Sequence, residues 1–326
     1  MGLRWGVLGA ARIADTTVIP AIQANSGSEV TAIASRDPGR AHEIAHRHGI
    51  TRVEHTYEDI LNSPGVDAVY IPLANSDHFR WTLAALGARK HVLCEKPIAM
   101  EAGEVKQLIA MRDRTGLVCG EAMMIGHHPQ WTLVTDVLQS GRIGQLLRVD
   151  GCFTYYLSDP QSIRNRAELG GGGMRDIGVY PVAATRIATG LEPSRIQATV
   201  STDARSGTDT YASGVASFDG FDLHFFCSTL MARRQSMVFH GTDGWIEMSA
   251  PFTSARYREA EVIIRSGSDA HTDIERFGET TIQYQRMIAD FETAVSDGAP
   301  LSYPLESSLN NQRIIDSALA GGGRLD

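Results

Sequence analysis

The feature that most limits the possible folds is an alternation of short apolar segments with helical patterns over the first 120 residues. The apolar segments are Leu3–Leu8, Val30–Ala34, Ala68–Ile71, His91–Cys94 and Leu117–Cys119. Between them apolar residues recur every three or four positions, as Val105, Leu108 and Ile109 do. Continuous apolar strands that alternate with helices predict a parallel sheet covered on both faces, and right-handed crossovers then give a doubly wound, Rossmann-like domain.

The pattern changes after residue 122, where the strand candidates become longer and often alternate polar with apolar residues. Examples are Arg148–Tyr156, Ile196–Ser201, Gly214–Phe218, Asp222–Ser228 and Gln235–His240. Tight turns such as Asp219-Gly220 separate them, which predicts a large, mostly antiparallel open sheet in an α+β domain. The predicted helices are Val179–Thr189, Thr281–Ser296 and Leu305–Leu319, and the GGGRLD tail is expected to fray. We therefore expect an α/β protein with two domains, residues 1–122 and 123–326.

A turn of small residues follows the first strand and opens a helix. Aligned with the pattern Gly-x-Gly-x-x-Gly/Ala it runs Gly9, Ala11, Ala14, with alanine in place of the middle glycine. Small residues suit this position because the backbone must approach a pyrophosphate at a helix N-terminus. We assign Gly9, Ala11, Arg12 and Ile13 to dinucleotide binding. The alternative is a tight strand–helix turn without a ligand.

The end of the second strand indicates which dinucleotide is bound. It carries Ser35, Arg36 and Asp37, with Arg40 one helical turn further on. A guanidinium suits a 2′-phosphate, and a serine hydroxyl can add a hydrogen bond, so these residues favour NADP. Asp37 favours NAD instead, because NAD-binding folds usually place an acidic residue here to bind the ribose 2′-hydroxyl. Arg36 as a solvated surface charge is the other interpretation.

Two further segments carry candidates for chemistry. Glu95-Lys96-Pro97 ends an apolar strand, where open α/β sheets bind ligands, and proline restricts the residue before it and can fix a cis bond. The alternative is a surface lysine before a helix-starting proline. Four glycines, residues 170–173, precede Asp176 and Tyr180, which are four apart and so share a helix face. For Asp176 the alternative is an N-terminal helix cap.

Composition excludes several classes of function. The net charge of −8 disfavours binding to nucleic acid or to an anionic membrane, and no segment approaches the roughly 18 apolar residues of a membrane span. No secretory signal is expected at the N-terminus. The four cysteines have no metal-binding spacing, so we expect reduced, buried thiols, no metal and a cytoplasmic protein.

Taken together, the motifs resemble the Gfo/Idh/MocA family of oxidoreductases over nearly the whole chain. The matching segments are WGVLGAARIA, VYIPLANSDH, EKP, EAMMIGHHPQ, DPQSIRNRAELGGGGMRDIGVYPV and YQRMIADFETAVSDGAPLSYPLESSLNNQRIID. The likeness is greatest to sugar-oxidising members and dimeric dihydrodiol dehydrogenases. Gly126 stands where relatives often carry arginine, a departure that bears on the substrate more than on the reaction.

The resemblance implies roles for individual residues. It implies that Lys96 is the catalytic lysine, that Asp176 assists it, and that Tyr180 occupies a further site that is often histidine. The cofactor-binding set then also includes Pro72, Asn75, His78, Glu95 and Lys96. Arg164, Asn165 and Arg166 are candidates for hydrogen bonds to sugar hydroxyls, with a solvated loop as the alternative.

The resulting expectation is an NADP-preferring dehydrogenase or reductase, with NAD possible, that acts on a sugar or cyclic polyol. Residues 1–122 would bind the dinucleotide, and residues 123–326 would bind the substrate. A sheet with one face on helices leaves another face to bury, so the second domain should also join a homodimer or homotetramer, as the resemblance implies. The alternatives are a trans-dihydrodiol or other non-sugar dehydrogenase, and a non-catalytic dinucleotide sensor. Whether Tyr180 or Lys96 transfers the proton stays open.

Overall fold

The computed structural model describes residues 2–254, 259–267, 271–278 and 282–325. The chain forms two compact units, one of Met1–Met124 with Thr281–Leu309 and one of Ile125–Thr280 with Asn310–Asp326. The C-terminal segment therefore differs from its predicted place, because residues expected in the second domain pack with the first unit.

The first unit contains a parallel sheet that, within the described residues, has six strands in the order β3-β2-β1-β4-β5-β6. The strands are β1 (Arg4–Leu8), β2 (Glu29–Ala34), β3 (Arg52–Glu54), β4 (Ala68–Ile71), β5 (His91–Cys94) and β6 (Cys119–Glu121). The helices between them are α1 (Ile19–Ala24), α2 (Pro38–His48), α3 (Tyr57–Asn62), α4 (Asn75–Gly87) and α5 (Ala102–Thr115). This order is that of a doubly wound dinucleotide-binding fold, so the predicted Rossmann-like domain is confirmed.

Local signals fix the ends of the helices. Asp37 caps α2 by accepting a hydrogen bond from the Arg40 amide, and Gly49 ends that helix in the left-handed conformation with φ +68°. Thr56 and Asp59 form a reciprocal capping box at the start of α3. These caps set where each crossover returns to the sheet.

Long-range contacts explain why the C-terminal segment belongs to the first unit. It contains α8 (Ile282–Asp297) and the start of α9 (Leu305–Leu319), and Thr281, the first residue of the predicted helix, lies outside the described residues. The Trp5 ring packs 5.1 Å from that of Phe291, and its Nε1 donates to Glu292 at 3.2 Å. The buried Leu305 joins a hydrophobic core of the first unit that also contains Val105 and Leu108 of α5.

The second unit is built on a mixed sheet that, as far as the structure describes it, has nine strands in the order β14-β13-β12-β11-β7-β10-β9-β8-β15. They are β7 (Leu146–Tyr156), β8 (Arg195–Thr202), β9 (Asp209–Ser217), β10 (Asp222–Ser228), β11 (Leu230–Gly241), β12 (Gly244–Met248), β13 (Glu259–Ser266), β14 (His271–Gly278) and β15 (Gly322–Arg324). Helices α6 (Pro129–Gln139) and α7 (Val179–Thr189) complete the unit.

Strand direction in this sheet confirms the predicted large, mostly antiparallel arrangement. Neighbouring strands run antiparallel except β10 and β7, which are parallel. The expected fraying of the GGGRLD tail is wrong for Gly322–Arg324, because this segment pairs with β8 as an edge strand. No helix within the described part of the chain is both long and apolar enough to cross a lipid bilayer.

Candidate active site

The glycine turn at the end of β1 has the geometry expected of a phosphate-binding loop. Gly9 has φ +118°, and a Cβ built there would lie 2.9 Å from Leu73 Cδ2, so a larger residue would be strained and crowded. A π-helical turn, Ala14–Val18, follows and leads into α1. The amides of the preceding residues, Ala11 to Ile13, stand where a helix leaves its first N–H groups without carbonyl partners. This cradle fits the pyrophosphate of a dinucleotide.

At the end of β2, Asp37 and Arg36 have different surroundings. The Asp37 carboxylate accepts from the Arg40 amide at 3.1 Å, so it serves as a helix cap. Ser35 Oγ accepts from the Asp37 amide at 3.1 Å. In the described part of the chain neither Arg36 nor Arg40 forms a salt bridge, and both are exposed. Burial raises the pKa of the Tyr57 phenol, and the neighbouring Arg36 guanidinium opposes that shift. Two exposed arginines therefore stand at the end of β2, and Arg36 is also hydrogen-bonded to Tyr57.

His78 lies inside the protein between the loops that follow β4 and β5. It is 1% exposed, with Nδ1 2.7 Å from the Pro97 carbonyl oxygen and Nε2 3.1 Å from that of Leu73. Burial lowers the pKa of the imidazole, so the neutral ring donates one hydrogen bond. This geometry suits an indirect role in cofactor binding, in which His78 holds the two loops together. Pro72 is also buried, and Asn75 begins α4.

Two buried anchors hold the Glu95-Lys96-Pro97 segment, and the sequence analysis missed both. The hydroxyl of fully buried Tyr70 donates to Glu95 Oε1 at 2.7 Å, and burial together with the Glu95 charge raises the pKa of that phenol. Glu121 Oε1 accepts from the Ile98 amide at 2.9 Å. The Lys96-Pro97 peptide bond is cis, as the sequence allows. The signal for Tyr70 was a phenol within an otherwise aliphatic strand.

In the second unit, Asp176 accepts two hydrogen bonds at one carboxylate oxygen. It lies in a π-helical turn, Met174–Gly178, that leads into α7. Oδ2 accepts from the Tyr155 hydroxyl at 2.5 Å and from Arg164 Nε at 2.9 Å. The charge of Asp176 raises the pKa of the Arg164 guanidinium, so Arg164 stays charged beside it. The structure thus brings Asp176 and Arg164 together, whereas Arg166 pairs with Glu168 at 2.7 Å.

Asp209, which the sequence analysis also missed, binds the first residue of this turn. Its Oδ2 accepts from the Met174 amide at 2.5 Å, so Asp209 is the acceptor at that amide. Burial raises the pKa of the Asp209 carboxyl. A Cβ at Gly172 would lie 2.0 Å from Asp209 Oδ1, where φ is +129°, and one at Gly171 would lie 2.5 Å from the Arg164 carbonyl oxygen. The glycine run therefore permits a close approach of backbone to these groups.

Tyr180 stands in an aromatic cluster beside this turn. It is 4% exposed, and its ring centroid lies 5.6 Å from those of both Phe153 and Phe252. The segment that carries Phe252 is fixed by Gln235, whose Oε1 accepts from the Phe252 amide at 2.9 Å. Tyr180 also contributes to the raised pKa of Arg164, so the two side chains are near one another. The arrangement can hold and orient a phenol next to a charged pair.

Two family profiles cover most of the chain. Residues 3–123 match an oxidoreductase family described as a GFO/IDH/MocA NAD-binding Rossmann fold, and residues 131–247 match a GFO/IDH/MocA C-terminal domain.

Individual relatives are similar over most of their length. A D-xylose 1-dehydrogenase (NADP(+)) of Haloferax volcanii is 34% identical over 97% of this chain and 96% of its own. A trans-1,2-dihydrobenzene-1,2-diol dehydrogenase of Danio rerio is 32% identical over 77% of this chain and 75% of its own. The crystal structure of a 3-ketoreductase from Actinomadura kijaniata, in complex with NADP and TDP-benzene, superposes with a TM-score of 0.90 at 31% identity and covers 98% of both chains.

Proposed function

The chain belongs to the GFO/IDH/MocA family of NAD(P)-binding oxidoreductases, and we propose that it is an NADP-preferring dehydrogenase or reductase of an aldose or cyclic polyol. The observation that most directly supports this reaction is the cluster of Asp176, Arg164 and Tyr155 beside Tyr180. A fixed carboxylate and a sheltered phenol are suited to binding and deprotonating a hydroxyl group. The observation that carries the cofactor preference is the pair of arginines at the end of β2.

Residues of this chain have separate tasks in the proposed reaction. The amides following Gly9 bind the pyrophosphate, and Arg36 with Arg40 binds the 2′-phosphate. The nicotinamide ring, when bound, supplies the hydride chemistry. Tyr180 or Lys96 exchanges the proton of the substrate hydroxyl. Arg164 and Arg166 are the candidates for hydrogen bonds to substrate hydroxyls, and each is also paired with a carboxylate of this chain, Arg164 with Asp176 and Arg166 with Glu168.

The relatives support a sugar-related substrate and leave one rival. The haloarchaeal relative is named for D-xylose, and the Danio rerio relative for a dihydrodiol. A panel of aldoses, inositols and dihydrodiols, with turnover followed by NADPH absorbance, separates the two. Turnover of aldoses or inositols supports the proposal, and turnover of dihydrodiols alone replaces it with the rival. Binding of NADPH without turnover of any member indicates a sensor.

Substitution of Arg36 by aspartate is expected to reverse cofactor preference. The change replaces a 2′-phosphate ligand by a repelling charge, so NADP affinity should fall at least about tenfold while NAD affinity changes little. Fluorescence titration of both reduced dinucleotides measures the effect. Lys106→Asp, on the exposed side of α5, is the control for the same change in net charge. Wild-type protein that binds NAD at least as tightly as NADP would contradict the proposal.

We also propose that the chain assembles through the outer face of the sheet in the second unit. That face carries a cavity of about 600 Å³. Its lining mixes polar with apolar side chains, among them Asp150, Tyr211, His224, Phe226 and Val238. An exposed, partly apolar sheet face of this kind is suited to an isologous contact. Light scattering at micromolar concentration should give the mass of a dimer or tetramer, and the mass of a monomer would refute this assembly.

A cytoplasmic location is part of the proposal. The four cysteines, Cys94, Cys119, Cys152 and Cys227, are free and buried, which is typical of proteins in a reducing compartment. Burial raises the pKa of the Cys119 thiol to about 12. The Cys119 thiol is therefore protonated at neutral pH, and none of the four cysteines forms a disulfide.

A further inference from the structure

Strand β7 ends in two tyrosines that point to opposite faces of the sheet. Side chains alternate along a strand, so Phe153 and Tyr155 share the face that packs on α7, where the Phe153 ring lies 5.6 Å from that of Tyr180. Tyr156 lies on the other face and is 67% exposed. The Tyr155 phenol therefore lies at the turn that carries Asp176, whereas the neighbouring Tyr156 phenol is exposed to solvent.

The Tyr155 hydroxyl is a donor to Asp176. Burial, and next the charge of Asp176, raise the pKa of Tyr155, so the phenol stays protonated across the working range. Its hydroxyl lies 2.5 Å from Oδ2, the same oxygen that Arg164 Nε contacts at 2.9 Å. Two donors that converge on one carboxylate oxygen restrict its rotamer and favour its ionised form.

We propose that Tyr155 is a positioning residue for the reaction, acting through Asp176: its hydroxyl, with Arg164, fixes the orientation of the Asp176 carboxylate and keeps it ionised. This inference rests on the proposed function of Asp176. Tyr155 itself needs no contact with substrate or cofactor to have this effect.

Other ionisable groups around the turn come from every element that packs against it. Asp209 of β9 is bound to the Met174 amide, and Cys227 of β10 is a buried thiol whose pKa is raised, first by burial. Tyr180 of α7 lies near Arg164 of the preceding loop. The hydrogen bonds that Arg164 and Tyr155 donate to Asp176 favour the ionised carboxylate. Removal of the Tyr155 hydroxyl shifts this balance toward the protonated form.

Tyr155→Phe tests the inference, because it removes one oxygen and keeps the ring. We expect kcat to fall about tenfold, the scale of one hydrogen bond to a charged group, with KM changed less than about twofold. Loss of a donor to the ionised carboxylate raises its pKa, so the acidic limb of the pH–kcat profile should move up by about one unit. The thermal midpoint should stay within a few degrees of the wild type. Tyr156→Phe is the matched control, expected to keep wild-type kcat and pH profile.

Asp176→Asn separates failure of this inference from failure of the proposed function. If Asp176→Asn has near-normal kcat, the catalytic role of Asp176 fails and the inference with it. If Asp176→Asn is impaired but Tyr155→Phe keeps the wild-type acidic limb, the inference alone is overturned. In the Asp176→Asn background, Tyr155→Phe should lower kcat little further, since both substitutions act through the same carboxylate. If the losses in kcat of the two single substitutions were fully additive in the double variant, the inference about Tyr155 would also be overturned.

Discussion

Lys96→Met is expected to lower the turnover rate by about two orders of magnitude or more, the scale of a positioned acid–base group. Methionine keeps most of the length of the side chain and removes the ammonium. The surrounding segment should stay in place, since Tyr70 holds Glu95 and the Glu121 carboxylate holds the Ile98 amide. The loss should therefore reflect the charge and the proton of Lys96.

Dinucleotide binding should survive this substitution. The glycine turn and Arg36 carry the phosphates in our proposal, and neither is altered. NADPH titration by fluorescence should give a Kd within a few-fold of the wild type, while steady-state assays on the best substrate of the panel measure kcat. Lys106→Met is the control for loss of a lysine charge from the same unit. A parallel loss of binding and turnover would contradict the catalytic role and indicate that Lys96 chiefly binds the cofactor.

The sequence predicts the central strands of the first unit well because burial on both faces leaves a continuous apolar run. Strands β4 and β5 begin and end at the predicted residues. Strand β3, which is three residues long, escapes prediction because its side chains are all half-buried. Such a strand has neither an apolar run nor an alternation to mark it.

The place of the C-terminal helices shows a different limit. Amphipathic spacing predicts α8 to within a residue in the described part, since one face of the helix must be buried. The pattern does not say which core receives that face. Trp5 and Glu292 are 287 residues apart, and no local signal relates them. The division into domains by changes of sequence pattern therefore assigns this segment to the wrong unit.

In the candidate site, the motifs select the candidate reactive residues and do not indicate the residues that hold them in place. Asp176 and Tyr180 stand in a glycine-rich motif, whereas Tyr155 and Asp209 lie 21 and 35 residues from the groups they bind. Their partners come from other elements, so a local pattern shows a tyrosine at a strand end or an aspartate after a turn and nothing more. The glycine run does indicate that another group approaches the backbone closely, and at Gly172 that group is the Asp209 carboxylate.

Tyr180→Phe should reduce kcat by about 10²- to 10⁴-fold if the phenol is the acid–base group, since the substitution removes only the oxygen that would carry the proton. Packing should change little, because Phe153 and Phe252 pack against the aromatic ring of Tyr180, which phenylalanine retains. The pH–rate profile should lose one limb, as the group that titrates is gone. Tyr156→Phe, which removes an exposed phenol, provides the baseline.

The two substitutions together decide which group transfers the proton. If Lys96→Met lowers kcat strongly and Tyr180→Phe keeps nearly wild-type kcat, Lys96 transfers the proton and Tyr180 only contacts the substrate. If both substitutions lower kcat but only Tyr180→Phe removes a limb of the pH–rate profile, the phenol transfers the proton. Near-normal turnover in both variants would mean that the chemistry takes place elsewhere in the molecule, and the catalytic assignments of Lys96 and Tyr180 would have to be abandoned.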